Sequence, residues 1–319
     1  MARRFLQGLL LSLLGGFSLV PAMAAEKVRL GTPINIHALY NMPILAALDR
    51  GFLKEEGIEA AFFPFTAAAT MDRATAAGEI DMGIAPAGTA IIAASRGIDQ
   101  IIVADLGGND RWFFWIRADS PIKEPKDLKG TRHAVVRFGS AAHAYSLLAI
   151  KSLGLEKDIK VVAAGGAREN FAALKAGVVD SVIMTFMSTA PLKFRGEVRE
   201  LVNVGDYLPK ERSDATVFAR RDYTRKQPEA VKKVIKALLQ GASFVTRNRD
   251  WTVQKMKTEY GFPEELGRVV YEELLYPVRD ARVDRKVIEN TRDFLIKYEL
   301  VSPERTPAAD ALYSPSFAP

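Results

Sequence analysis

The amino-acid sequence predicts an α/β protein of two lobes, each a mixed sheet flanked by helices. Three observations carry that expectation. Strand-like and helix-like stretches alternate between residues 27 and 204, a glycine-to-aspartate turn occurs at Gly78 with Asp81 and again at Gly177 with Asp180, and the chain after Pro228 reads as helix.

In order along the chain, Val28 and Leu30 alternate with polar residues, so 27–34 reads as a strand. Ile44, Leu45, Leu48 and Phe52 fall at helical spacing in 42–54, with Asn41 as a cap, Pro43 in the first turn and Gly57 at the end. Strands follow at 58–65, 80–85 and 100–106, and helices at 71–77 and 89–95, closed by Gly78 and Gly97. A second set has strands at 131–136, 159–163, 181–184 and 201–204, and helices at 141–153, 170–176 and near Ala190. In both sets the glycine supplies a left-handed helix stop and the aspartate accepts turn hydrogen bonds before the next strand. Any α/β protein can reuse such a turn.

Residues 216–219 form one more strand. Val231, Val234, Ile235, Leu238, Leu239, Ala242 and Val245 make one apolar helical stripe, and Val287, Ile288, Thr291, Phe294, Leu295 and Tyr298 another behind Asp284 as its cap. These helices are expected back on the first lobe. That sets lobe 1 at 25–116 plus 214–319 and lobe 2 at 117–213. Two crossings, near 111–118 and 213–217, make a hinge. The end, 302–319, carries four prolines and reads as irregular.

Residues 1–24 stand apart. Arg3 and Arg4 precede an apolar run, and Ala22-Met23-Ala24 is a small-residue cleavage site, so a cleaved secretory signal peptide is expected. The run is shorter than the roughly 20 residues that span a bilayer. The formal charge is +6, and losing Arg3 and Arg4 with the leader lowers it by two. With no cysteine there is no disulfide framework, thiolate metal site, cysteine nucleophile or lipid-anchoring cysteine, and three histidines leave little for a metal. The basic residues are scattered, which argues against nucleic acid. No nucleophile elbow, zinc-protease helix, phosphate loop or dinucleotide fingerprint occurs, and the paired acids Glu55-Glu56, Glu264-Glu265 and Glu272-Glu273 are helix neighbours that cannot face each other as a dyad. A secreted enzyme is therefore the remote alternative.

Five segments carry a family resemblance. They are Ala46-Ala-Leu-Asp-Arg50-Gly-Phe-Leu-Lys-Glu55-Glu-Gly-Ile-Glu59, Ala77-Gly-Glu-Ile-Asp81-Met-Gly83, Asp127-Leu-Lys-Gly130, Gly139-Ser140 before a helix, and Ala173-Leu-Lys-Ala-Gly177-Val-Val-Asp180. In this order the chain resembles the periplasmic substrate-binding proteins of the nitrate, sulfonate and taurine type. The resemblance covers nearly all of the chain after residue 24. It implies a type II periplasmic-binding-protein clamshell that binds a small molecule without cofactor or metal. It further implies a monomer that hands its ligand to the membrane permease of an ABC importer. A thiamine-type pyrimidine precursor as ligand, and a role as periplasmic sensor, stay open beside an organic anion.

Ligands of open α/β sheets sit beyond the strands' carboxyl ends, where helix N-termini favour anions. That places Asn35, His37, Tyr40, Thr66, Thr70, Ala87 and Thr89 on lobe-1 cleft loops, Arg137, Ser140, His143 and Phe186 on lobe 2, and Asp214 at the return crossing. Arg137 offers a bidentate fork, Gly139 close backbone approach and Ser140 a cap that can also donate. The same residues could instead be an ordinary cap with a solvated arginine. Thr89 would cap a helix and touch ligand at once. His143 and the pair His37 and Tyr40 either line the cleft or pack, and Phe186 with Met187 suggests an apolar wall. At Thr185-Phe186-Met187-Ser188 the chain lacks the Trp-Glu-Pro-like stretch of many relatives. His133, inside a strand, reads as structural, and of the alternating pairs Trp112 with Phe114 and Phe113 with Trp115 one could line the cleft while the other packs.

Overall fold

The computed structural model describes residues 25–33, 38–65, 68–108, 111–138, 140–209, 211–274 and 280–318. Residues 1–24, Asn35, His37, Thr66 and Gly139 lie outside the described residues, and with them the expected signal peptide. Among the described residues no helix is long and apolar enough to cross a membrane.

The chain opens with β1 (Glu26–Thr32), α1 (Met42–Asp49), α2 (Phe52–Glu55), β2 (Ile58–Pro64), α3 (Ala68–Ala76), β3 (Met82–Ala85), α4 (Ala87–Ser95) and β4 (Gln100–Asp105). The single helix expected over 42–54 is two, because Gly51 turns left-handed at φ +80° between them. Asn41 does not cap α1. Its side-chain oxygen instead accepts from the buried Thr32 hydroxyl at 2.7 Å, which ties the helix start to the end of β1.

The second set is β5 (Trp112–Arg117), β6 (Arg132–Val135), α5 (Ala141–Ser152), β7 (Lys160–Ala163), α6 (Ala167–Lys175), β8 (Ser181–Thr185), α7 (Phe186–Phe194) and β9 (Val198–Asn203). Then β10 (Thr216–Arg220) leads to α8 (Arg221–Lys226), α9 (Pro228–Arg247), α10 (Arg249–Tyr260), α11 (Glu264–Leu274), α12 (Arg285–Lys297) and α13 (Ala309–Leu312). The first sheet runs β2-β1-β3-β10-β4 and the second β7-β6-β8-β5-β9. Both are mixed: β10 lies antiparallel between β3 and β4, and β5 antiparallel between β8 and β9.

The lobe boundary expected after residue 116 cuts through β5, which belongs entirely to the second sheet. Phe113, Phe114, Trp115 and Ile116 are all buried. A strand covered on both faces is a continuous apolar run, without the alternation that marks the edges of a half-buried strand. The C-terminal helices also do not stay on the first lobe. Val245, Met256, Leu266 and Val270 join one core with Met42 and Ala46 of the first lobe and Phe186 and Met187 of the second. The ring of Phe294 in α12 meets Tyr145 of α5 at 5.3 Å, while α12 also packs on α4. The largely irregular tail is pinned at residues 313 and 314. Tyr313 bridges Ile102, and the Ser314 N–H donates to the Ile102 carbonyl, so the tail covers the exposed edge of β4.

Candidate functional site

Strand directions fix where a cleft can lie. β1, β3 and β4 point the same way, so β4 ends at the carboxyl side of the first sheet. β5 starts level with Thr185, the last residue of β8, because Trp112 pairs with it. On the return, β9 ends at the carboxyl side of the second sheet and β10 starts beside Ala85, at the end of β3. Both crossings therefore join carboxyl side to carboxyl side, and the two sets of strand ends face the same gap.

The crossings are laced together. The fully buried Asp105 carboxylate accepts from the Ser213 hydroxyl and, at 2.8 Å, from the Gly107 N–H. The Asp214 N–H donates to the Gly108 carbonyl at 3.1 Å, and the Ala87 N–H to the Ser213 carbonyl at 3.0 Å. Gly107 and Gly108 both adopt φ +89°, a region that side chains disfavour, so this clasp needs two glycines in a row. The sequence reading missed Asp105 and Ser213. The one available signal was an acid at a strand end followed by Leu-Gly-Gly.

Beyond the second sheet, Ser140 caps α5: its hydroxyl accepts from the His143 N–H at 3.2 Å and donates to the Arg137 carbonyl at 2.7 Å. The Gly165 N–H donates to the Val136 carbonyl at 3.1 Å, which joins this loop to the start of α6. Asn170 closes that start by donating to the Gly165 and Gly166 carbonyls at 2.5 and 3.0 Å. Thr185 caps α7 and receives the Ser188 N–H. Three helix N-termini thus gather here, joined by the exposed Arg137 and Arg168, neither with an ion-pair partner among the described residues. Burial pushes the half-buried His143 imidazole below its usual range. Arg111 lies over the Phe113 and Phe186 rings, 5.3 and 5.7 Å from their centroids, and its carbonyl accepts the Phe186 N–H.

On the first lobe the described loop residues Pro33, Phe65, Pro86, Gly88 and Thr89 are neutral, as is Thr70 in α3, and the one charged group at these strand ends, Asp105, is turned into the clasp. Thr89 is half-buried and is the third residue of α4. Pro86 holds the cap position, so the threonine does not cap the helix. Thr70 is half-buried and accepts from Arg73 at 3.4 Å. Tyr40, Ala87 and Phe186 differ from the cleft-lining expectation. They are 2%, 0% and 1% exposed, packed in the cores behind the loops. Asp214 is half-buried at the return crossing. A small apolar void lined by Leu39, Met42, Val245, Met256 and Val270 lies elsewhere, among α1 and α9 to α11.

His133 is structural, as its strand position suggested. It is fully buried, 2.8 Å from the Ser181 hydroxyl and 2.9 Å from that of Ser146, and burial lowers its pKa to about 3.

Comparison with known proteins places this arrangement. The family model described as NMT1/THI5 like matches residues 38–251. The taurine-binding periplasmic protein of Escherichia coli is 27% identical over 69% of this chain and 70% of its own. A binding protein of Brucella abortus is 27% identical over 65% of this chain, which spans 64% of that relative's length. Among solved structures, the periplasmic aliphatic sulphonate binding protein of Escherichia coli superposes with a TM-score of 0.79 at 20% identity, over 91% of this chain and 92% of its own.

Proposed function

This chain belongs to the NMT1/THI5-like family, and we propose that it is the periplasmic substrate-binding component of an ABC importer. It captures a small organic anion of the sulfonate, taurine or carboxylate kind and delivers it to a membrane permease, acting as a monomer. The observation that carries the reading is the meeting of both sheets' carboxyl ends across two crossings, with three helix N-termini and two exposed arginines, without ion-pair partners among the described residues, on one side.

The residues do no chemistry in this reading. Arg137 grips the anionic group, the α5 N-terminus adds its dipole, and neutral hydrogen-bonding groups of the first lobe complete the contact. Ligand favours the closed arrangement because only there do both lobes touch it, which is a population shift. The Asp105–Ser213 clasp holds the two crossings in register as they flex.

A thermal-shift screen of nitrate, sulfonates, carboxylates and pyrimidine precursors tests this. A true ligand at a hundred times its Kd stabilises by about 2.7 kcal/mol. Stabilisation by pyrimidine precursors alone would replace the anion. Turnover of generic ester or phosphate substrates would replace binding with catalysis.

A further inference from the structure

Phe138 is 59% exposed, more than Phe63, Val178, Phe194 or Val269, the other large apolar side chains exposed among the described residues. It sits just past the end of β6, between the exposed Arg137, which has no ion-pair partner among the described residues, and the α5 cap. Its ring is not loose: it meets the His143 ring edge-on, with centroids 5.2 Å apart and planes at 74°. The Ser140 hydroxyl, bonded to both the Arg137 carbonyl and the His143 N–H, holds the two ends of this turn together. An exposed apolar ring thus sits just past the carboxyl end of β6, adjacent in sequence to a cation and braced by His143.

Resting on the binding-protein reading above, we propose that Phe138 and His143 form an apolar subsite beside Arg137, so that the cleft prefers anions with an aromatic or bulky apolar body over short-chain or inorganic ones. Arg137 takes the charged oxygens and Phe138 the body. His143 is half-buried, and its lowered pKa leaves it an uncharged ring at neutral pH. It contributes an edge and not a second cation.

Calorimetric titration of the purified chain with benzenesulfonate and methanesulfonate tests this. The wild type binds benzenesulfonate about tenfold tighter, the size of one well-buried apolar contact. Phe138→Ala brings the ratio of the two affinities near one and leaves methanesulfonate within about twofold, the scatter expected for a contact not made. Phe138→Leu keeps part of the preference, which separates lost apolar contact from a disturbed loop. Equal affinities in the wild type, or an unchanged ratio in Phe138→Ala, overturn the subsite while methanesulfonate binding leaves the binding-protein reading intact. A folded chain that binds neither sulfonate overturns the anion reading and the subsite together.

Discussion

The first sheet runs β2-β1-β3-β10-β4 and the second β7-β6-β8-β5-β9, so every strand of one lobe has a counterpart in the other. The counterparts extend to side chains. Asp81 accepts the Arg29 N–H at 2.9 Å, and Asp180 accepts the Arg132 N–H at 2.8 Å. Arg220 approaches the Gly78 turn in one lobe as Arg117 approaches Gly177 in the other. Inside, the lobes diverge. Leu30 pairs with Met82 in the first, both fully buried and apolar, where His133 pairs with Ser181 in the second. At the cleft they diverge again: the first lobe's charge there, Asp105, is consumed by the clasp, while the second lobe presents the exposed Arg137 and Arg168. The outer ends are built alike because both must tie two parallel strands to a helix stop. The cores and cleft loops answer to different demands.

The largest predicted effect tests the shared clasp. Asp81 is 4% exposed and also takes two side-chain bonds from Arg29, at 2.9 and 2.6 Å. Asp180 is half-buried, and its Arg132 guanidinium stands 3.9 Å away. Asp81→Ala should lower unfolding stability by about 3 kcal/mol, through a backbone N–H and a guanidinium that lose a charged acceptor. Asp180→Ala should cost about 1 kcal/mol, because water replaces much of what is lost. Urea denaturation measures both. Equal losses would mean that the partial exposure of Asp180 does not weaken its clasp.

Next comes the divergent core. His133 has a folded pKa of about 3 against an ordinary 6.5, so between those values the unfolded chain binds a proton that the folded one does not. Stability should therefore fall as pH drops below 6.5, by about 1.4 kcal/mol per unit at most, or about 2 kcal/mol by pH 5. The double replacement His133→Leu with Ser181→Met installs the first lobe's solution and should remove that slope. Denaturation at pH 7 and pH 5 reads it. An unchanged slope would assign the acid sensitivity to other groups.

The cleft asymmetry gives a smaller effect. Arg137→Ala should weaken a sulfonate by about tenfold, the worth of one charge-assisted bond, and Thr89→Ala on the first lobe by about threefold at most. Larger loss at Thr89 would move the anion to the first lobe.

What could be read from the sequence follows the range of the interactions. The glycine and aspartate of each clasp lie three positions apart and were visible; their arginine partners lie 52 and 48 residues away and were not. His133 was recognised as structural because it interrupts an apolar strand, although Ser146 and Ser181 gave no sign that they would receive it. Strand order predicts which loops border the gap, whereas the side chains of Tyr40 and Phe186 lie in the cores behind them. Phe186 is the first residue of α7 and Tyr40 lies in a short turn before α1, and no sequence pattern marks that both face the core. The Asp105–Ser213 clasp spans 108 positions and exists only when both crossings are in place.

The smallest effect probes the equivalence of the lobes most directly. Gly78 and Gly177 adopt φ +76° and +68°, so alanine at either meets the same left-handed strain, about 1 kcal/mol. Their surroundings differ. A Cβ at Gly78 would come within 2.3 Å of the Arg220 guanidinium, which must then swing off its 3.7 Å approach to Asp81; a Cβ at Gly177 meets Arg117 at an ordinary 3.5 Å. The Arg220 guanidinium is the far end of a flexible side chain that also pairs with Asp222, so it can swing aside at a modest further cost. Gly78→Ala should therefore cost slightly more than Gly177→Ala in urea midpoint, and Asn at either site should recover part of the loss because it tolerates this backbone region. If Gly177→Ala costs more, the two turns are alike in outline only, and Arg117 holds its helix end more rigidly than Arg220 does.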